Sequence, residues 1–324
     1  STDTQIGGSR NVGTGPVGQG NLVSGNGFFG ILNSGLYQTI QGNLIGTDAT
    51  GLEALPNHYG LMANGSYITV GGTEPGTGNV ISGNNWYNAD SFGYYNRFIG
   101  NIIGLDITGS KALNPSSQGN LAMEGPSRGN IVGGTTPEER NIIGGANYGV
   151  IFSDANSYSN SLIGNYIGTD VTGTKAVPNG VGVLLWSSGN HRVGGMAEGE
   201  VNLISGNEKG VVLNGYGVTD NLILGNRIGV DANGENTLPN KYCGVDLSMG
   251  QKHTVIGGFT PAEGNVISNS PFSIHIYNAG TIENFIAGNM MAGASVAGLF
   301  LEDNTSRNFI QRNIFGAVEG DTIR

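Results

Sequence analysis

The sequence predicts an all-β solenoid, a right-handed parallel β-helix of about ten to eleven coils with three short strands in each. Three observations carry that expectation. Eleven asparagines, Asn21, Asn43, Asn79, Asn101, Asn141, Asn165, Asn202, Asn226, Asn265, Asn289 and Asn313, recur with separations of 22, 36, 22, 40, 24, 37, 24, 39, 24 and 24 residues. A short coil thus alternates with a longer one, and about five two-coil repeats of roughly sixty residues follow, a period expected of units that bury their apolar faces only by stacking. Apolar residues fall in short runs with β-branched members, and no helix-length apolar stripe occurs. Glycine supplies 59 residues without a Gly-X-Y triplet or a low-complexity tract, so it reads as turn residue rather than collagen or disorder.

The strands are clearest in the fourth copy. Its first coil holds the runs GVGVLL, HRVGG and NLISGN, and its second holds GVVLN, NLILGN and RIGVD, each broken by Gly, Asn or Ser. Coils of this kind contact only their neighbours, so residues 1–324 are expected to form one domain despite the length. Counting back nine residues from each VGG-like run gives Leu61, Met123, Leu184, Leu247 and Leu301, expected to point inward. The next residues, Met62, Glu124, Leu185, Ser248 and Glu302, have the mixed chemistry of an outward column. The asparagines then occupy one corner, one per coil, where their amides bond each other and the turn backbone.

Composition narrows the partners. Only 12% of residues are charged and the net charge is -10, which argues against nucleic acid and anionic membrane surfaces. Neutral or cationic partners stay open. No apolar stretch reaches a membrane span, so no insertion is expected, and no signal peptide precedes Ser1. The single cysteine, Cys243, excludes an internal disulfide and reads as a small buried residue. Few lysines, many Asn and Gly and the acidic balance fit an extracellular or cell-surface setting.

These repeats resemble the pectin-lyase-like superfamily of right-handed parallel β-helices over nearly the whole chain. The IGTD-x-TG segments at 45–51 and 167–173 are similar to repeats of large bacterial surface proteins. The resemblance implies the fold but not one function, because such helices serve as lyases, glycosidases, epimerases, tailspikes and adhesins.

Asp48, Asp106, Asp170 and Asp231 are each followed three residues later by Gly51, Gly109, Gly173 or Gly234. An aspartate capping its own turn explains the pattern; calcium is the alternative, although no metal-ligand set or cofactor motif is otherwise evident. Residues matched in every repeat are scaffold, so chemistry is sought where the copies differ. Laying coil on coil places Asp90, Glu124 and Asp154 in one outward column, separated by 34 and 30 residues, with carboxyls rising at about 5 Å steps. Glycosidase carboxyl pairs stand about 5–5.5 Å apart when retaining and 6.5–9.5 Å when inverting, so such a column fits either. Trp86, Tyr87, Phe92, Tyr94 and Tyr95 precede the column and Trp186 lies one coil beyond Asp154, aromatic faces suited to sugar rings.

The resemblance brings no catalytic signature with it. No polygalacturonase set is present, the string Arg227-Ile228-Gly229 lacks the required lysine, and the Asp-Pro-His motif of mannuronan epimerases is absent. Arg128 with Glu124 is the one local pair suggestive of a lyase base and cation. His58, His191, His253 and His275 fall at unrelated slots and read as surface or turn residues. Neither end shows a capping helix, so a fragment of a larger protein or end-to-end self-association into a fibre is expected. The leading expectation is therefore a non-catalytic surface scaffold, adhesin or fibre segment that presents an Asn-rich, locally aromatic flank to polysaccharide. The alternative is a polysaccharide-degrading enzyme, with Glu124 and Asp154 as acid and base or nucleophile and Trp186 as sugar platform.

Overall fold

The computed structural model describes residues 2–15, 17–217 and 219–316. Within it the chain winds as a right-handed parallel β-helix whose coils feed three all-parallel sheets. Two narrow sheets hold eleven strands each, the first running from Gln5–Gly7 to Phe309–Gln311 and the second from Leu22–Val23 to Ile314–Phe315. The third, broad sheet holds ten strands, from Phe29–Asn33 to Ala297–Leu301. The segment 317–324, part of the stretch in which the sequence shows no cap, lies outside the described residues. No helix among the described residues is long and apolar enough to cross a membrane.

Period-2 alternation builds the interior. Each first-sheet strand sends a central residue such as Ile40, Val70, Phe98 or Val132 inward, the second sheet sends residues such as Ile45, Ile81 and Ile103, and the broad sheet adds mainly its third and fifth residues, so that one apolar column fills the coil axis. The outward assignment of the fourth copy is one residue off. Leu185 is register-mate of Phe152 and Leu213 and lies in the core, whereas Leu184 aligns with Ile151 and Val212 in a separate cluster on the outer face. The nine-residue count fails because the turn after each broad strand varies in length, and a slip of one exchanges the two faces.

All eleven expected asparagines form one ladder at the entrance to the second sheet. Each Nδ2 of Asn21 through Asn289 donates to the next Oδ1, at 2.8–3.1 Å, and from Asn43 onward the same nitrogen also reaches a backbone carbonyl. Two further ladders occupy the other corners. One links Asn26, Asn57, Asn84, Asn88, Asn120, Asn179, Asn207 and Asn240 before the broad sheet. The other passes through Asn96, Asn130 and Asn160, then His191, whose Nδ1 accepts from the Asn160 N–H while its own N–H donates to Asn221. His191 is thus a buried ladder rung, not a surface residue: it is 1% exposed and stacks on Phe152 at 4.6 Å.

The aspartate turns cap themselves as expected. Asp48 Oδ1 accepts from the N–H groups of Leu52 and Glu53, and Asp170 Oδ1 from those of Thr174 and Lys175. Each turn closes a small hairpin, through bridges such as Thr47 with Ala54 and Thr169 with Ala176. Successive hairpins touch directly, because Ile107, Val171 and Ala232 donate their N–H groups to the carbonyls of Gly51, Gly109 and Gly173. Two hairpin arms fill the height of two coils, about 10 Å, which is why the motif recurs only in every second coil.

Candidate functional site

The outer face of the broad sheet carries the exceptions to the repeat. Its fourth-position column reads Leu32, Met62, Asp90, Ala122, Ile151, Leu184, Val212, Asp246, His275 and Phe300. Asp90 therefore lies beside Met62 and Ala122, and it shares no column with Glu124. Glu124 follows Met123 directly and aligns with Ser153, and Asp154 is one residue further along the next coil. The three carboxyls do not form a vertical stack, since the strand-to-turn offset differs between these coils.

What the structure assembles instead is a bridge over a buried acid. The Tyr87 hydroxyl and the Ser153 hydroxyl both donate to Glu124 Oε1, each at 3.1 Å. Gly119 makes this reach feasible, because a β-carbon there would stand 2.8 Å from the Tyr87 ring. Asp90 is 1% exposed and its Oδ1 has no hydrogen-bond partner. Burial, then the charge of Glu124, push its carboxyl well above the usual range, against a weaker pull from the Ser91 backbone. Burial also raises the Tyr87 phenol, with Glu124 and Asp90 adding to the effect, so Tyr87 stays a proton donor.

Glu124, Asp154, Ser153, Phe92 and Trp186 line one depression of about 340 Å³. Trp186 is 55% exposed and stands directly above Ser153 in register. Asp154 adopts φ +84° and its Oδ1 accepts from the N–H and the side chain of Asn156, capping the turn at the rim of the depression.

The other expected aromatic partners lie elsewhere. Trp86 packs with His58 and Tyr87 at the opposite margin of the sheet. Tyr95 ends a stack with Tyr67 and Tyr37 at centroid spacings of 5.3 and 5.0 Å along a turn column. Arg128 sits over Tyr94 and donates to the Tyr158 hydroxyl, and no ion pair joins it to Glu124 among the described residues. The lyase-like pairing of Arg128 with Glu124 is therefore not formed. The turn column holds Arg128 one corner away, between tyrosines of the adjoining coils.

The same face bears a second polar centre that the sequence reading missed. Asp246, 1% exposed, accepts from Lys209 Nζ at 2.9 Å and lies 3.8 Å from the Cys243 thiol. Burial works against the Lys209 charge, but Asp246 outweighs it and holds the ammonium above its ordinary value. Burial, then Asp246, push the Cys243 thiol up to about 12, so this cysteine is a buried thiol as expected but not an isolated one. His275 is register-mate of Asp246, bonds Glu302 at 2.8 Å and stacks on Phe300 and Tyr277. His275 thus faces out from a strand and not from a turn. A charged residue in a column that is otherwise mainly apolar was the available signal, and it stands two residues before Ser248, the outward position that the count selects.

No protein-family model matches the chain, and no curated protein matches it in sequence. Among solved structures, it is similar to the A-module of a mannuronan C-5 epimerase from Azotobacter vinelandii, with TM-score 0.54 and 15% identity, over 90% of this chain and 69% of that one. An alginate lyase from Paenibacillus sp. aligns over 92% of this chain and 98% of its own at 12% identity, with TM-score 0.39. The likeness to the epimerase module shows the shared fold, the right-handed parallel β-helix, and nothing narrower.

Proposed function

We propose that the chain is a polysaccharide-degrading enzyme of the glycoside hydrolase kind, working outside the cell, with its substrate laid along the outer face of the broad sheet. One observation carries the reading: a half-buried Glu124 carboxylate, fixed by two hydroxyls above a buried Asp90, opens into the same depression as Asp154 and Trp186. A scaffold has no use for a buried carboxyl with an unpaired oxygen, which costs stability, whereas an acid–base site gains from it. The solved structure with the same fold is named as a mannuronan epimerase, an enzyme acting on polysaccharide, which supports this reading over the adhesin expectation.

Glu124 serves as nucleophile or base, with Tyr87 and Ser153 setting its orientation, and Asp154 supplies the second carboxyl. Adjacent coils about 4.8 Å apart, with one residue of about 3.3 Å offset along the strand, set the two backbone positions about 6 Å apart, from which the side chains can reach a glycosidase spacing. Trp186 offers its exposed ring to a sugar face. Along the same face the outer column runs from Asp90 past Ile151, Leu184 and Val212 to Asp246, five strands or about 24 Å, a length that matches several sugar rings.

The test is a screen of purified protein against neutral and acidic polysaccharides, reading new reducing ends, with Glu124→Gln and Asp154→Asn alongside. Activity in the wild type that falls at least 100-fold in Glu124→Gln is expected. Cleavage that survives the substitution, or none on any substrate, would remove the assignment.

A further inference from the structure

A cavity of about 450 Å³ lies away from the broad sheet, over the second sheet. The outward column of that sheet reads Leu22, Leu44, Val80, Ile102, Ile142, Tyr166, Leu203, Arg227, Val266, Met290 and Ile314. Two members break an otherwise aliphatic series, Tyr166 and Arg227, and they flank Leu203, which floors the cavity. A third exception, Arg140, occupies the position before a ladder asparagine, where most copies carry glycine.

Both arginines are half-buried and held in place. The Arg140 guanidinium lies 4.0 Å from the Tyr166 ring centroid and its Nε donates to the Gly164 carbonyl, and Arg227 donates to the Ala232 carbonyl at 2.8 Å. Neither has a carboxylate within ion-pair distance among the described residues, although the chain carries net charge -10. The corner acids nearest in sequence are already committed, Glu139 to Arg97 and Glu200 to Arg192. Only the exposed Glu198 stands at the rim. Two anchored guanidinia, neither neutralised, over an apolar floor form a ready receptor for a ring that carries a carboxylate.

We infer that this cavity binds a hexuronate, either as the free sugar or as a unit of an acidic glycan. Arg227 takes the carboxylate, Arg140 across Leu203 meets oxygens at the other end of the ring, the Leu203 floor takes a C–H face, and the hydroxyls of Thr135 and Thr136 at the wall meet sugar hydroxyls. The site is independent of the Glu124 groove and stands or falls separately from it.

Calorimetric titration of the whole chain with glucuronate, methyl glucoside, sulfate and an oligouronate tests the assignment. Saturable binding of glucuronate is expected, at least tenfold tighter than methyl glucoside or sulfate, and tighter again for the oligomer if a glycan is the natural source. Arg227→Gln and Arg140→Gln should each weaken it about tenfold, and Lys252→Gln, on a turn away from both sites, should leave it unchanged. Should a variant fail to fold, protection of Arg140 and Arg227 in the wild type from an arginine-modifying dicarbonyl by glucuronate, mapped on peptides, gives the same answer. No saturation, sulfate binding as tightly as glucuronate, or glucuronate binding without protection of these two arginines would overturn the inference.

Discussion

Tyr87 reaches the carboxylate of Glu124 from the preceding coil, its hydroxyl 3.1 Å from Oε1, by lying across a strand that begins with a bare glycine, Gly119. The contact joins the two margins of the groove. Tyr87→Phe keeps the ring and removes the donor, so a hydrogen bond to a charged group is lost and stability should fall by about 1.5–3 kcal/mol. Turnover should fall roughly tenfold or more. Gly119→Ala should reproduce that loss by displacing the ring, with Tyr87 itself intact. Paired kinetics of the two variants check it; full activity in Gly119→Ala would separate Tyr87 from the function.

Asp90 should make the protein more stable in acid than its surroundings suggest. Its folded pKa is raised above the ordinary 3.8, so between those values the native state holds a proton the unfolded chain has released. Stability from this group therefore falls as pH rises from about 3.8 toward the folded value, and stays low beyond it. Asp90→Asn removes the burial of charge and should raise the melting temperature at pH 7 by a few degrees, with a smaller gain near pH 4. Melting curves across pH 3–8 decide the point. An unchanged or lower melting temperature at pH 7 would mean that the carboxylate is stabilised by a contact other than those described.

His191 gives the opposite slope. Burial lowers its folded pKa to about 3, below the ordinary 6.5, against weaker support from the Ser157 and Asn160 backbone. The unfolded chain takes up a proton that the native ladder refuses, so stability is lost as pH falls from about 6.5 toward 3. His191→Asn restores the residue type of the neighbouring rungs, can still accept from the Asn160 N–H, and should flatten the acid limb. Comparing melting temperatures of the two proteins at pH 4 and pH 7 tests this, and parallel curves would rule it out.

The fold was legible because one residue type repeats at one corner. Each asparagine must satisfy the same buried backbone groups in every coil, so the ladder from Asn21 to Asn313 survives any change in loop length. The second and third ladders were harder to read, since the second places Asn84 and Asn88 in one coil and the third substitutes His191 for asparagine. Site residues suffered more. Side-chain direction depends on parity, and turns of unequal length shifted Leu184, Asp90 and Asp154 against one another, so the column of Asp90, Glu124 and Asp154 did not form, while His275 was read as a surface or turn residue and Asp246 went unnoticed. The three polar exceptions around the second-sheet cavity were visible as letters, but only the folded coils set Arg140 over Tyr166 and placed Arg227 on the far side of Leu203.

The ladder should also be unequal along its length. Asn165 Nδ2 donates to the carbonyls of Val132 and Ile163 and to Asn202 Oδ1, and its Oδ1 accepts from both nitrogens of Asn141. Asn165→Ala strands several buried groups at once, a loss on the order of 3–5 kcal/mol. Asn165→Asp should cost more still, because it sets a charged acceptor against the carbonyls that had received a donor. Asn21 is exposed, and its side chain makes a single described bond, to Asn43, so Asn21→Ala should cost about 1 kcal/mol or less. Chemical denaturation of the three variants measures the order Asn165→Asp, Asn165→Ala, Asn21→Ala. Equal losses at the two positions would show that the stacked coils, and not the amide ladder, set the stability of the corner.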